Sequence, residues 1–425
     1  MKQNTKFIIR FAVTFIVGLL GFAPHVHAQA DYVPPLSAEP LAIWQVQGEY
    51  FGTVTGGGNL GAWLVATGGN NYSVTFLPGG LLTLPGDSHG GWIQTGWSRT
   101  AFTGSGALNG TAFAVSTASN YKAAAITGTG EARTMTGVTA TGAAFSLTRV
   151  VRNSPTHYLK PKAEWGAANM WFDSATGQAD LAKWATKDNT VQLSRKNLYR
   201  GVQTVASHGA GFLHIEFQGC FNPTATGQGR SNSGIYLQSH YETQVLDSFG
   251  STGAENEYGG VYSVKEPLVN ASLPPLSWHT YDIYFTPRTS GAAGDAAGAA
   301  VVTVYANGVL VQDATPIPGV TTAGVPGNLL APGPLYLQNH GNEVVFNDIW
   351  FIPNATVKTL PYSTVLGGVV GIDRNTIKPL LDKQKRDLYE LKNGLQGRFD
   401  LSGRQLFRNK AALSFAPIFT KPTQP

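Results

Sequence analysis

Between Ser231 and Gly250 the chain reads SNSGIYLQSHYETQVLDSFG, and apolar and polar side chains alternate at period two. Alternate side chains of a β-strand point to opposite faces. Ile235, Leu237, Tyr241, Thr243 and Val245 therefore share one face, and Asn232, Tyr236, Gln238, His240, Glu242 and Gln244 share the other. The first set packs a core. The second brings amides, a phenol, an imidazole and a carboxylate together. That mixture suits a polyhydroxylated ligand, because aromatic rings stack on sugar faces and amides or carboxylates take hydroxyl pairs.

The same alternation recurs from about Met170 to Pro353, in FLHIEF, TYDIYFT, AVVTVYANGVLV, PLYLQNH and EVVFNDIWF. Many short strands separated by turn signals, such as Ala306-Asn307-Gly308, point to a sandwich or jelly roll. A smaller β-rich region is expected over residues 41–152, with a hairpin turn at Gly68 to Asn71. Gly56 to Gly58 introduces no helix and reads as a turn rather than a phosphate cradle. SPTHYLKPKAEWGAA reads as the linker between the two regions. Charged residues at 13%, with 51 glycines, fit turn-rich β structure and exclude a coiled coil or a generally disordered chain.

The ends differ from the body. Residues 1–30 have the form of an export signal: Lys2, Lys6 and Arg10, an apolar run from Phe11 to Phe22, then small residues up to Ala30. The run is short for a stable membrane span, and the expected location is a periplasm or the outside. Between Asn375 and Gly397, Ile377, Leu381, Leu388, Leu391 and Leu395 recur at helical spacing, which predicts an amphipathic helix in a basic tail over residues 366–425. Such a helix could dimerise or pack on its own body. Residues 29–365 hold sixteen Lys and Arg against twenty Asp and Glu, so the net charge of +5 belongs to the ends and gives no reason to expect a nucleic-acid partner. Cys220 is the one cysteine, which excludes an internal disulfide; it reads as a buried small hydrophobe.

Parity in FLHIEF puts His214 and Glu216 on the face opposite Leu213, Ile215 and Phe217. In PLYLQNH it groups Tyr336, Gln338 and His340. Asp247, Ser248, Glu255, Glu257, Tyr258 and Tyr262 follow the opening segment in a loop. Paired carboxylates could perform glycosidase chemistry or hold a hard cation, and spacing does not choose between them. The chain lacks His-Glu-x-x-His, Gly-x-Ser-x-Gly, phosphate-loop and dinucleotide motifs.

Four ordered blocks, SNSGIYLQSHYETQVLDSFG, EYGGVYSVKEPLVNASLPPLSWHTYDIYF, VTVYANGVLV and GPLYLQNHGNEVVFNDIWFIP, resemble the 3-keto-disaccharide hydrolase family over about residues 165–353. This family is also described as 3-keto-glucoside-1,2-lyase/3-keto-2-hydroxyglucal hydratase. The resemblance implies a concanavalin-A-like jelly roll over about residues 165–355, all-β like the region before it. It implies cleavage of 3-keto-disaccharides or 3-keto-glucosides by C2 deprotonation and loss of the C1 substituent, with hydration as a further step. The alternatives are a non-catalytic carbohydrate-binding protein and a conventional two-carboxylate glycosidase. Glu242 and Asp247 match acidic positions and are candidates for base or metal ligand. His340 and Gln338 match the family's LQxHG block and could polarise the ketone. Asn232, Tyr236 and Gln244 are candidate binding residues, and Tyr262 could stack or donate a proton. Some relatives carry Arg where this chain has Gln238, which alters charge recognition. The carboxylates permit a divalent metal; the sequence does not demand one.

Overall fold

The computed structural model describes residues 36–92, 103–115, 120–155, 171–173, 191–193 and 201–355. The expected export signal, the basic helical tail and most of the linker lie outside them. A nine-residue helix, α1 (Ala38–Val46), leads into the strands. In chain order these are β1 (Gly48–Val54), β2 (Asn59–Gly68), β3 (Asn71–Pro78), β4 (Leu81–Leu82), β5 (Gly90–Trp92), β6 (Thr103–Asn109), β7 (Ala112–Phe113), β8 (Tyr121–Thr129), β9 (Ala132–Thr139) and β10 (Ala144–Val150). There follow β11 (Trp171–Asp173), β12 (Val191–Leu193), β13 (Gly201–His208), β14 (Gly211–Gly219), β15 (Ser233–Leu237), β16 (Tyr241–Val245), β17 (Trp278–Thr286), β18 (Ala300–Ala306), β19 (Val309–Ile317), β20 (Gly333–Gln338) and β21 (Val344–Pro353). The described residues are thus all-β apart from α1 and one short turn of 3-10 helix.

The first region closes into a barrel in the order β1-β10-β9-β8-β7-β6-β3-β2, with β4 and β5 as a separate small pair. The expected hairpin is present, since Gly68 pairs with Asn71 where β2 turns into β3. Alternation fills the interior with Tyr50, Leu64, Tyr72, Phe76, Phe113, Ile126, Met135, Phe145 and Leu147. The second region is a sandwich of two antiparallel sheets, β11-β13-β20-β15-β16 and β12-β21-β14-β17-β18-β19. One core lies between them, where Leu213, Ile215, Phe217, Ile283 and Val304 meet Ile235, Leu237, Tyr241, Val245 and Leu337. Each such fully buried aliphatic side chain contributes about 1.5–3 kcal/mol relative to exposure. Asn307 and Gly308, at φ 52° and 77°, form the left-handed turn that joins β18 to β19.

The barrel and the sandwich touch. Trp63, Val65, Leu77 and Leu81 of the barrel region cluster with Phe249. Trp44 Nε1 donates to the Pro275 carbonyl at 3.2 Å, and Ser154 Oγ lies 2.7 Å from Thr280 Oγ1. The Arg152 guanidinium clasps both oxygens of Glu49 at 2.6 and 2.7 Å and also binds Asp87. Cys220 is buried.

Candidate functional site

The core-facing parity of β15, β16 and β20 leaves their other side chains on the outer face of the five-stranded sheet. Register sets them in rows. Gln203 lies opposite Tyr336, Tyr336 opposite Tyr236, and Tyr236 opposite Glu242. In the next row Gly201 is opposite Gln338, and Gly234 is opposite Gln244. The Tyr236 and Tyr336 rings sit 5.1 Å apart. Gly234 makes room for the acid: a Cβ there would lie 2.3 Å from Glu242 Oε1 and 2.6 Å from the Tyr236 ring. The floor beneath the Glu242 carboxyl is therefore bare backbone.

Glu242 is 3% exposed. Burial pushes its pKa up to about 8, and a hydrogen bond with the Tyr236 hydroxyl opposes the rise only in part. The Tyr236 hydroxyl is held protonated far above its ordinary value, first by burial and then by the Glu242 charge beside it. Gln338 Nε2 donates to that hydroxyl at 3.1 Å. The hydroxyl itself donates to the Thr322 carbonyl at 3.4 Å, so the Glu242 carboxyl lies beside a phenol that is anchored at both ends. Tyr262 is half-buried at its edge. Its N–H donates to the Glu242 carbonyl at 3.3 Å, and its phenol pKa is raised by burial and by the charges of Glu242 and Glu255. His340 lies beyond the end of β20; its ring keeps an exposed surface, yet crowding by protein atoms moves its pKa down.

Other expected site residues are committed elsewhere. Gln228, for which no sequence signal stood out, is a hub: it accepts from Asn232 Nδ2 and Gln244 Nε2, each at 3.0 Å, and donates to the Asn256 carbonyl at 2.7 Å. Asn232 and Gln244 thus hold two loops against the sheet. Asp247 is clamped by Arg230, with Nη2 2.7 Å from Oδ2, and its other oxygen accepts the Phe249 N–H at 3.2 Å. Gln238 follows the end of β15 in a turn with φ 51° at Gln238 and 62° at Ser239, so strand parity ceases there. Its side chain donates to the His208 carbonyl at 2.9 Å, while its N–H donates to His208 Nε2 at 3.0 Å.

His214 and Glu216 belong to the other sheet. They face away from the core on β14 of the six-stranded sheet, so the sandwich separates them from Glu242. His214 Nδ1 is 2.7 Å from Asp282 Oδ1, and Nε2 is 3.7 Å from Glu216 Oε1. Its ring stacks on Trp350 at 4.8 Å. A bulge in β21 opposite Ile215, with Asp348 at φ 41°, also brings Asn347 Nδ2 to 3.2 Å from Glu216. Burial lowers the His214 pKa, but Asp282 and Glu216 outweigh it and raise the value to about 9. Among the described residues no group of three His, Cys, Asp or Glu is placed to hold a metal ion, and Asp247 is taken by Arg230.

Residues 140–352 match the model of the 3-keto-alpha-glucoside-1,2-lyase-like domain. Among solved structures, the chain is similar to a candidate glycosyl hydrolase from Parabacteroides distasonis, with 33% identity over 43% of this chain and 78% of that one, at a TM-score of 0.38. A second candidate glycosyl hydrolase from the same organism is 16% identical over 42% and 86%, at a TM-score of 0.29. The carbohydrate-binding module CBM66 of Bacillus subtilis is 12% identical over 39% and 83%, at a TM-score of 0.22. No curated protein matches the chain.

Proposed function

The chain belongs to the 3-keto-alpha-glucoside-1,2-lyase-like family and is carbohydrate-active, and on that premise we propose that it cleaves 3-keto-glycosides with Glu242 as the base. The observation that supports this reading is the buried Glu242 carboxyl with its pKa pushed up to about 8, opposite Tyr236 on a sheet face lined by a second tyrosine and Gln338.

A ketone at C3 acidifies the C2 proton. Glu242, once ionised, takes that proton; a carboxylate lifted from its usual range is the stronger base. The C2–H electrons pass into a C2=C3 enolate with the charge on the C3 oxygen; as the C3 carbonyl re-forms they move into the C1=C2 bond, and the C1–O bond breaks. The Tyr236 hydroxyl and the Gln338 amide, both neutral donors, stabilise the enolate oxygen. Tyr262 supplies a proton to the departing oxygen, and addition of water to the unsaturated sugar gives the hydrated product. His340 is a rim group that positions a hydroxyl. The sandwich is of the concanavalin-A-like jelly-roll type, and the chain is exported. Asp247, held by Arg230, is assigned to fixing a loop.

The test uses purified full-length chain with 3-keto-sucrose and a methyl 3-keto-glucoside, beside the unoxidised parents. Cleavage of the keto sugars alone is expected. Turnover of the parents would establish a conventional glycosidase, and binding without turnover a carbohydrate-binding protein.

A further inference from the structure

The barrel carries two cations where its alternation calls for apolar side chains. On β10 the inward positions are Phe145, Leu147 and Arg149; on β9 Met135 faces inward, and Arg133 has the same parity. The strand register places Arg133 next to Arg149 and Arg149 next to Tyr50. Both arginines act electrostatically on Tyr50, and Arg133 also acts on Tyr72. Tyr72 stands on β3, across the barrel from β9, so the two guanidinium groups converge over one mouth. Helix α1 caps that mouth: Arg149 Nε donates to the Gln47 carbonyl at 2.8 Å and Nη2 to the Trp44 carbonyl at 3.1 Å, with the Trp44 ring 4.8 Å from Cζ.

These bonds leave donors over. Arg149 is 7% exposed and Gln47 is 1% exposed. Arg149 Nη1, Arg133 Nε and Gln47 Nε2 are all buried without an acceptor among the described residues. No carboxylate is bonded to either arginine among the described residues. Glu49, next to Tyr50 on β1, is taken by Arg152. Glu131 is exposed and influences Arg149 only through space. Buried cations with unmet N–H groups are costly unless an anion completes them. Planar guanidinium forks and an amide donor match a group with two or three oxygens. The space below is filled by Tyr50, Tyr72 and Phe76, so the group must be compact.

We propose that the α1-capped mouth of the barrel is a binding site for a compact oxyanion, a phosphate or a carboxylate, held between Arg133, Arg149 and Gln47. The experiment is thermal unfolding of the full chain in inorganic phosphate, acetate or glucuronate, each against sodium chloride at equal ionic strength. A saturable rise in Tm of roughly 3–5 °C is expected with at least one oxyanion, and none with chloride. Phosphate alone would identify an inorganic or phosphorylated ligand; glucuronate, with or without acetate, would identify a carboxylate. The half-buried Arg133→Gln should fold as the parent does by circular dichroism and lose the rise; Arg149→Gln is the companion variant. The proposal is overturned by a rise that chloride reproduces or that persists in Arg133→Gln. It is equally overturned if no oxyanion acts while Glu131→Gln lowers Tm in plain buffer, since Glu131 would then be the partner.

Discussion

Two buried carboxyl clusters lie on opposite outer faces of the sandwich, and they solve burial in opposite ways. Glu216 and Asp282, at 0% and 2% exposure, flank His214, and the three share charge. Glu242, at 3%, has a phenol, an amide and a bare glycine floor around it and no cation among the described residues, so burial drives its pKa up instead. Near-complete burial is common to both. The presence of an opposite charge decides what burial does: beside two carboxyls His214 is held charged, whereas Glu242 is held protonated to near neutrality, where it is available for proton transfer.

The sharpest way to break this contrast is to remove each acid. Glu242→Gln should lower kcat on a 3-keto-glucoside by about 10²–10⁴-fold and leave stability unchanged or improved, because a buried acid is replaced by an amide of the same shape. Asp282→Asn should do the reverse, costing about 3–5 kcal/mol in denaturant unfolding as it leaves a buried imidazolium without its main partner, with a smaller effect on turnover per folded molecule. Equal effects of the two variants on both measurements would erase the distinction.

Intermediate effects come from the seat of the acid. Gly234→Ala forces a Cβ against Glu242 Oε1 and should lower kcat by roughly tenfold or more, as small misplacements of a catalytic group do; an unchanged rate would show that the seat does not matter.

The smallest expected effects are pH dependences. The rate should rise with pH and level off above about 8, where Glu242 is ionised. For stability, the folded chain keeps the Glu242 proton between about 4.5 and 8 while the unfolded chain has released it, so that contribution declines as pH rises through this window. His214 acts with the same sign at higher pH: its contribution is complete below about 6.5 and is lost as pH passes about 9. His208 opposes them. Burial depresses its pKa to about 4, so its contribution is present above about 6.5 and is lost as pH falls toward 4. Stability curves of the parent and Glu242→Gln should therefore diverge between pH 4.5 and 8 and run parallel beyond; divergence only above pH 8 would assign the shift to another group.

Much of this was legible locally. Alternation correctly paired Ile235, Leu237, Tyr241 and Val245 in the core and put Tyr236, Glu242 and Gln338 on one face. It also carried an unused signal, since Arg149 shares parity with Phe145 and Leu147. Parity failed at Gln238, because a left-handed turn ends the strand; Asp247, a candidate from the resemblance alone, is held by Arg230, seventeen residues away in a loop without periodicity.

By itself, then, the sequence determined faces, turns and family, all of which rest on side-chain spacing along one strand or one ordered set of blocks. Only the tertiary structure decided which sheet each face belongs to, and so which charges meet. His214 and Glu216 have the same kind of alternation as Tyr236 and Glu242, yet they stand across the sandwich beside Asp282, because a two-residue period states which way a side chain points and nothing about the strand next to it. The chemistry of Glu242 follows from that placement: its pKa depends on neighbours brought in from β15 and β20, and no local pattern encodes the absence of a cation there.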